Sequence, residues 1–215
     1  MDEDGTTALF FAAQEGYLEV VNSLLKAGAD ANVCDTHGAG PLLVSVQEGH
    51  EEIVRTLIEH DDFSEDGEVM KTNVDQPRED GITPVFTAAW LGRIDVLRLL
   101  LDSGAAANPT VTAHNFDDTP LCGAISRGHA DAVQSLLKAG AEVNTAPRLT
   151  DGHTPFTLAV SKCDDDDSGN AQDILQLLIE GGAVAGKSPA TNEEEDDDED
   201  VVVADIANLD LNGES

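Results

Sequence analysis

The chain has 215 residues, 40% of them hydrophobic but only 4% aromatic, and carries 43 Asp and Glu against 11 Lys and Arg. A net charge of −32 repels phosphate backbones and anionic headgroups, so direct nucleic-acid and membrane binding are not expected, and a protein partner with a basic surface is favoured. No apolar run approaches the roughly 18 residues of a membrane-spanning helix, and Met1-Asp2-Glu3-Asp4 leads straight into patterned sequence with no secretory leader, which sets the expectation of an intracellular protein, cytoplasmic or nuclear.

The first patterned unit opens on Thr7-Ala8-Leu9-Phe10 and follows with the small pair Ala12-Ala13 and a glycine, Gly16. A second apolar run (Val20, Val21, Leu24, Leu25) then closes on Gly28-Ala29. The second unit opens on Gly40-Pro41-Leu42-Leu43, with Ser45-Val46 and Gly49, but lacks a Gly-Ala close. It runs from His60 through the acidic stretch Asp61 to Glu68 before Asn73, which predicts a longer, mobile surface loop. The third unit has Thr83-Pro84-Val85-Phe86, Ala88-Ala89, Gly92, then Val96, Leu97, Leu100 and Leu101, and Gly104-Ala105. The fourth has Thr119-Pro120-Leu121-Cys122, Ala124-Ile125, Gly128 and Gly140-Ala141. The fifth, opening on Thr154-Pro155-Phe156-Thr157 with Ala159-Val160, puts Cys163-Asp164-Asp165-Asp166-Asp167-Ser168-Gly169-Asn170 where the others have their inner glycine, and closes on Gly182-Ala183. The second positions of the five openings are 33, 43, 36 and 35 residues apart.

Each part of the unit has a physical reading. Thr or Gly followed by Pro starts a helix, with a hydroxyl to cap it and a ring preset for its first turn. The small pair lets a neighbouring helix approach closely. The inner glycine ends that helix, because glycine enters the left-handed conformation at least cost. The second run is a one-sided apolar stripe, so it predicts a second helix with one buried face. A turn-rich excursion such as Asp35-Thr36-His37-Gly38 follows. One unit cannot bury its stripe alone, and stacking several makes a continuous core.

This pattern resembles the ankyrin repeat, most fully in Thr119-Pro120-Leu121, Ala124, Gly128-His129 and the run Leu136-Leu137-Lys138-Ala139-Gly140-Ala141-Glu142-Val143-Asn144. The resemblance implies an all-α solenoid of about five helix-turn-helix units with projecting β-hairpin loops. The array is expected over residues 1–187, with repeats near 4–35, 36–79, 80–114, 115–149 and 150–187. Residues 188–215 form an acidic tail. The histidine that the family often carries after Thr-Pro-Leu is replaced here by Phe10, Leu43, Phe86, Cys122 and Thr157, so stability must lean more on apolar packing.

Catalysis and cofactors find no support in the sequence. There is no nucleophile elbow, glycine-rich phosphate loop or paired-histidine zinc motif, so no enzyme activity is expected. The six histidines do not cluster at ligand spacing. Asp164 to Asn170 copies the front half of a calcium loop, but its twelfth position, where a bidentate Glu is required, is Leu175. Neither a metal nor a cofactor is expected. Cys34, Cys122 and Cys163 are odd in number and lack close pairing, as reduced thiols would be.

What remains is surface. The resemblance implies that partners contact the loop tips and the exposed, concave side of the first helices. On the helices this selects Gln47, Glu48, Trp90, Leu91, Ser126 and Arg127, and at the tips His37, Asn115, Phe116 and His153, with Thr36 and Ile82 beside them. Trp90 as an exposed aromatic next to Arg127 has the composition of an interface anchor. The expected function is therefore a non-catalytic adaptor, scaffold or inhibitor acting as a monomer. After Lys187 the chain has eleven acidic residues and no basic one, eight of the acids in the block Glu193 to Asp200, which predicts disorder. This supports an alternative, acidic binding or chaperoning of basic proteins such as histones. The apolar segment Val201-Val202-Val203-Ala204-Asp205-Ile206 either folds back over the last repeat, adds as a strand to a ubiquitin-like modifier, or has no docking role, the acid alone serving solubility.

Overall fold

Each first helix begins where a threonine or glycine meets the helix-starting residue. In the computed structural model, which describes residues 5–63, 69–109, 119–144, 154–163 and 169–183, these are α1 (Ala8–Gln14), α3 (Pro41–Glu48), α5 (Pro84–Trp90), α7 (Pro120–Ser126) and α9 (Pro155–Cys163). The hydroxyls of Thr7, Thr83, Thr119 and Thr154 accept the N–H three residues on, at 3.1, 3.3, 3.2 and 3.2 Å. Such caps satisfy backbone donors that have no partner within the helix. The second helices are α2 (Leu18–Lys26), α4 (Glu51–Glu59), α6 (Ile94–Asp102), α8 (Ala130–Lys138) and α10 (Asn170–Glu180). With no inner glycine in the fifth repeat, α9 runs nine residues against seven in α1, α5 and α7.

First helices pack side by side (α1 on α3, α3 on α5, α5 on α7, α7 on α9), and second helices follow the same order. A single apolar core therefore runs from Leu9 to Leu178 along the stack. The slots where the family often has histidine are filled as apolar packing requires: Phe10, Leu43, Phe86 and Cys122 are buried, and Thr157 is half-buried.

The second repeat departs from expectation. Part of its long acidic connection is a two-stranded antiparallel sheet, β1 (Asp61–Phe63) with β2 (Val69–Lys71), in register Asp61↔Lys71, Asp62↔Met70 and Phe63↔Val69. Residues beyond the helix must still satisfy their backbone polar groups, and here they do so by pairing with each other. The Thr72 hydroxyl donates to the Leu57 carbonyl and ties the end of this sheet to α4. Residues 64–68 lie outside the described set, as do the Asp164 to Ser168 run and the acidic tail.

Two ladders of polar contacts join the repeats. At the turn inside the second and third repeats, the residue after the glycine reaches back to the repeat before. His50 donates from Nε2 to the Gln14 carbonyl at 3.0 Å, and the Arg93 guanidinium lies 3.5 Å from the carbonyls of Gln47 and Glu48. These donors meet the negative ends of short helices whose last carbonyls lack partners. A Cβ added to Gly92, whose φ is +66°, would lie 2.7 Å from the His129 ring, so this glycine is required both by backbone and by space.

The second ladder runs along the loops. The Asn32 amide donates to the Lys71 carbonyl (3.2 Å) and accepts from the Asn73 N–H (2.7 Å). Asn108 repeats this with the Gly140 carbonyl (3.2 Å) and the Glu142 N–H (2.8 Å), and Asn144 donates to the Gly182 carbonyl (3.1 Å). In the second repeat the rung is Asp75, which accepts from the Ala106 N–H at 2.8 Å but, as a carboxylate, has no N–H to give. By analogy with Asn108, its missing acceptor is the Gly104 carbonyl. Asp75→Asn should therefore raise the stability of the array by about 0.5–1 kcal/mol, visible as a higher urea midpoint with an unchanged slope.

Candidate partner-binding site

Trp90 is the last residue of α5, and its ring is held rather than free. Phe86, one turn earlier, stacks on it with ring centroids 6.1 Å apart and planes 15° from parallel. The pair reaches this geometry because i and i+4 lie on one helical face. On the next repeat, Gly123 lies against the pair: a Cβ there would stand 3.4 Å from Trp90 Cε3 and 3.5 Å from Phe86 Cε2, ordinary contact distances. Arg127 also lies over the ring, with its Cζ 4.2 Å from the centroid of Trp90. A guanidinium at that distance is attracted to the ring face. Trp90 is thus half-buried instead of the exposed aromatic expected. Ile82, expected at an exposed loop tip, is 9% exposed and joins Phe86 and Trp90 in a small apolar cluster separate from the main core.

Leu91 follows immediately and is 41% exposed. Arg127 is exposed and Ser126 half-buried beside it. Gln47 and Glu48 are exposed at the end of α3, their carbonyls facing Arg93. The C-terminal ends of α3, α5 and α7 therefore bring Gln47, Glu48, Trp90, Leu91, Ser126 and Arg127 into one line. His37 does not belong to it. It is exposed at a loop tip before α3, the length of that helix away, about 12 Å. Asn115, Phe116 and His153 lie outside the described residues.

The two loop tips described in full, around His37 and Asp80, are held by their own hydrogen bonds. The Asp35 carboxylate accepts from the His37 and Ala39 N–H groups at 2.9 and 2.8 Å, and the Glu79 N–H donates to the His37 carbonyl at 2.9 Å, joining one tip to the next. Arg78 pairs with Asp80 through Nε at 3.0 Å and through a second guanidinium nitrogen, while Asp80 also accepts from the Ile82 N–H at 3.2 Å. Burial alone would raise the Asp80 carboxyl, but the hydrogen bonds from Arg78 and Ile82 outweigh it and hold it below its ordinary value.

Sequence reasoning missed Phe86 and Arg93 as parts of this region and placed Ile82 at a loop tip. The signal for Phe86 was its spacing of four residues before Trp90. For Arg93 it was the position after an inner glycine that His50 and His129 share.

The arrangement offers contact surface more than chemistry. Among the described residues no group of three or more His, Cys, Asp or Glu could hold a metal. Leu175, at the calcium loop's twelfth position, is buried in the core. Burial first, then the charges of Asp35 and Asp30, push the Cys34 thiol up, away from the thiolate a nucleophile needs. Among the described residues no helix is long and apolar enough to cross a membrane.

Ankyrin-repeat family models match residues 9–113 as three copies and residues 116–146 as a further repeat. The chain belongs to the ankyrin repeat family. An ankyrin repeat domain from Acinetobacter baumannii superposes with a TM-score of 0.71 and 28% sequence identity, over 85% of each chain. Human neurogenic locus notch homolog protein 1 is 31% identical over 158 residues, 74% of this chain and 6% of that protein. Human Rabankyrin-5 is 29% identical over 159 residues, 73% of this chain and 12% of that protein. The chain thus spans only a small part of these curated relatives. Ankyrin repeats are generally protein–protein interaction modules, typically without enzymatic activity, and they bind other proteins.

Two outcomes are expected. Trp90 is the single tryptophan of the chain, so Arg127→Ala should shift its fluorescence to longer wavelength and increase quenching by acrylamide, while costing about 0.5–1 kcal/mol. Asp80, with its folded pKa lowered, contributes stability that is present above the unfolded carboxylate value and lost as pH falls through the folded one. Hydrogen exchange at the Ile82 amide, measured with correction for intrinsic rates, should therefore lose protection on acidification below about pH 4, and Asp80→Asn should abolish that dependence.

Proposed function

We propose that this ankyrin array is a non-catalytic adaptor, scaffold or inhibitor that grips a folded protein partner along the C-terminal ends of its first helices. Trp90, Leu91 and Arg127 form the anchor, flanked by Gln47, Glu48 and Ser126. The loop tips, with His37, Asn115, Phe116 and His153, provide a second line of contact. The array occupies residues 1–187 and the acidic tail 188–215, and the protein works as a monomer in the cytoplasm or nucleus. The odd cysteine count supports a reducing compartment.

The observation that carries this reading is the Phe86–Trp90–Arg127 stack beside exposed Leu91. An aromatic already fixed in place loses little freedom on binding, and a guanidinium with an aromatic is the composition of interface hot spots. The net charge of −32 supports a partner with a basic surface.

A second reading places binding in the tail, which would hold basic proteins such as histones while the repeats act as carrier. The eleven acids without a basic residue after Lys187 favour it. One experiment separates the two. Partners taken by proximity labelling in the native cell are titrated calorimetrically against the intact chain, Trp90→Ala, Arg127→Ala and a chain ending at residue 187. The first reading expects each point substitution to weaken binding tenfold or more, about 1.4 kcal/mol, with the shortened chain nearly unaffected. Full affinity in both point variants, with loss on shortening, contradicts it.

A further inference from the structure

The sixth residue of each first helix reports how the repeats cover one another. In α1, α3, α5 and α7 it is Ala13, Val46, Ala89 and Ile125, and none is more than 1% exposed. In α9 it is Val160, which is 42% exposed. The second helices tell the same story. Leu137, three residues before Gly140, faces the following repeat, where a Cβ on Gly181 would stand 3.6 Å from its Cδ1. Its counterpart Ile179, three residues before Gly182, is 38% exposed. No described element lies beyond α9 and α10. Val160 and Ile179 therefore present, at the open end of the stack, the surface that every earlier repeat buries against a neighbour.

We propose that the tail segment Val201–Ile206 of the same chain docks on this open end as a single-layer cap. The proposal goes beyond the partner-binding reading and stands or falls separately from it. α10 ends at Glu180 and the described chain at Ala183, and a 17-residue connection (184–200) would reach about 25 Å if it behaved as a flexible coil. A layer packed on a helix pair sits only about 10 Å beyond it. The opposite end of the stack, where Phe11 and Val20 are also exposed, is four repeat steps or about 40 Å away and is disfavoured by that distance.

Chemistry agrees. In an extended segment alternate residues share a face, so docking through Val202, Ala204 and Ile206 turns Asp205 to water together with Val201 and Val203. Ala204, small between two larger residues, permits close approach. Lys162 is the one basic residue of α9 and α10, the elements at this end of the array, and is the charge there that would attract an acidic segment. Tethering adds the rest: a segment on a linker of this length is held at an effective concentration on the order of millimolar, so a weak apolar contact suffices.

The test uses the full 215-residue chain with methyl labels, alongside the double variant Val202→Asp and Ile206→Asp, whose changes lie outside the array. Docking predicts nuclear Overhauser contacts from the tail methyls to Val160 and Ile179. It also predicts that the double variant loses them, moves those two array resonances, leaves Leu97 unmoved and lowers the melting temperature by about 2–4 °C. Identical Val160 and Ile179 resonances in both proteins would overturn the proposal. So would contacts seen only between separately labelled copies, which make the occupant a second chain, or contacts to Phe11 and Val20.

Discussion

An ankyrin unit of this chain has an apolar stripe it cannot cover by itself, and neighbour-on-neighbour burial is the constraint on which everything else rests. Ala89 and Ile125 are sealed because another first helix lies over them. The same stacking brings short helices end to end with the turn of the next repeat, and this is why His50 and Arg93 can serve carbonyls that no residue of their own repeat could reach. It also aligns the loops so that one amide side chain, as in Asn108, spans both polar groups of the adjacent strand of backbone. Polar ladders follow from apolar stacking, and not the reverse.

The candidate site is a by-product of that regularity at one irregular point. In this position the third repeat carries Trp90 where the fourth carries Ser126, and the indole ring packs against the helix of the next repeat at Gly123. Phe86 stacks with the ring and the Arg127 guanidinium lies over it. The result is an aromatic fixed by three neighbours drawn from two repeats, with Leu91 left in solvent beside it. A partner meeting this surface finds it already ordered.

Much of the fold was legible because its signals are local. Thr-Pro and glycine act within one turn, so the helix starts at Pro84 and Pro120 and the left-handed turn at Gly92 follow from chemistry of adjacent residues. Repeat register extended this over distance: residues 91 and 127 are one period apart, which is enough to place Arg127 next to Trp90. The rest depends on tertiary circumstance. The strand pair around Phe63 and Val69 is marked in sequence only by Asp66-Gly67 between its strands, because strands of three residues are too short to show an alternating apolar pattern. Ile82 reads as a loop-tip residue until the aromatic pair of α5 is present to cover it, and the half-burial of Trp90 is set by Phe86 and by Arg127 of the next repeat.

Native-state hydrogen exchange tests neighbour shielding most directly. A stack held by adjacent interfaces predicts that amides of α5 to α8, covered on both sides, outlast those of α1 and α2, whose outer face with Phe11 and Val20 is open, by one or more orders of magnitude. Equal protection of the first and third repeats, exchanging together at the global unfolding rate, would contradict it.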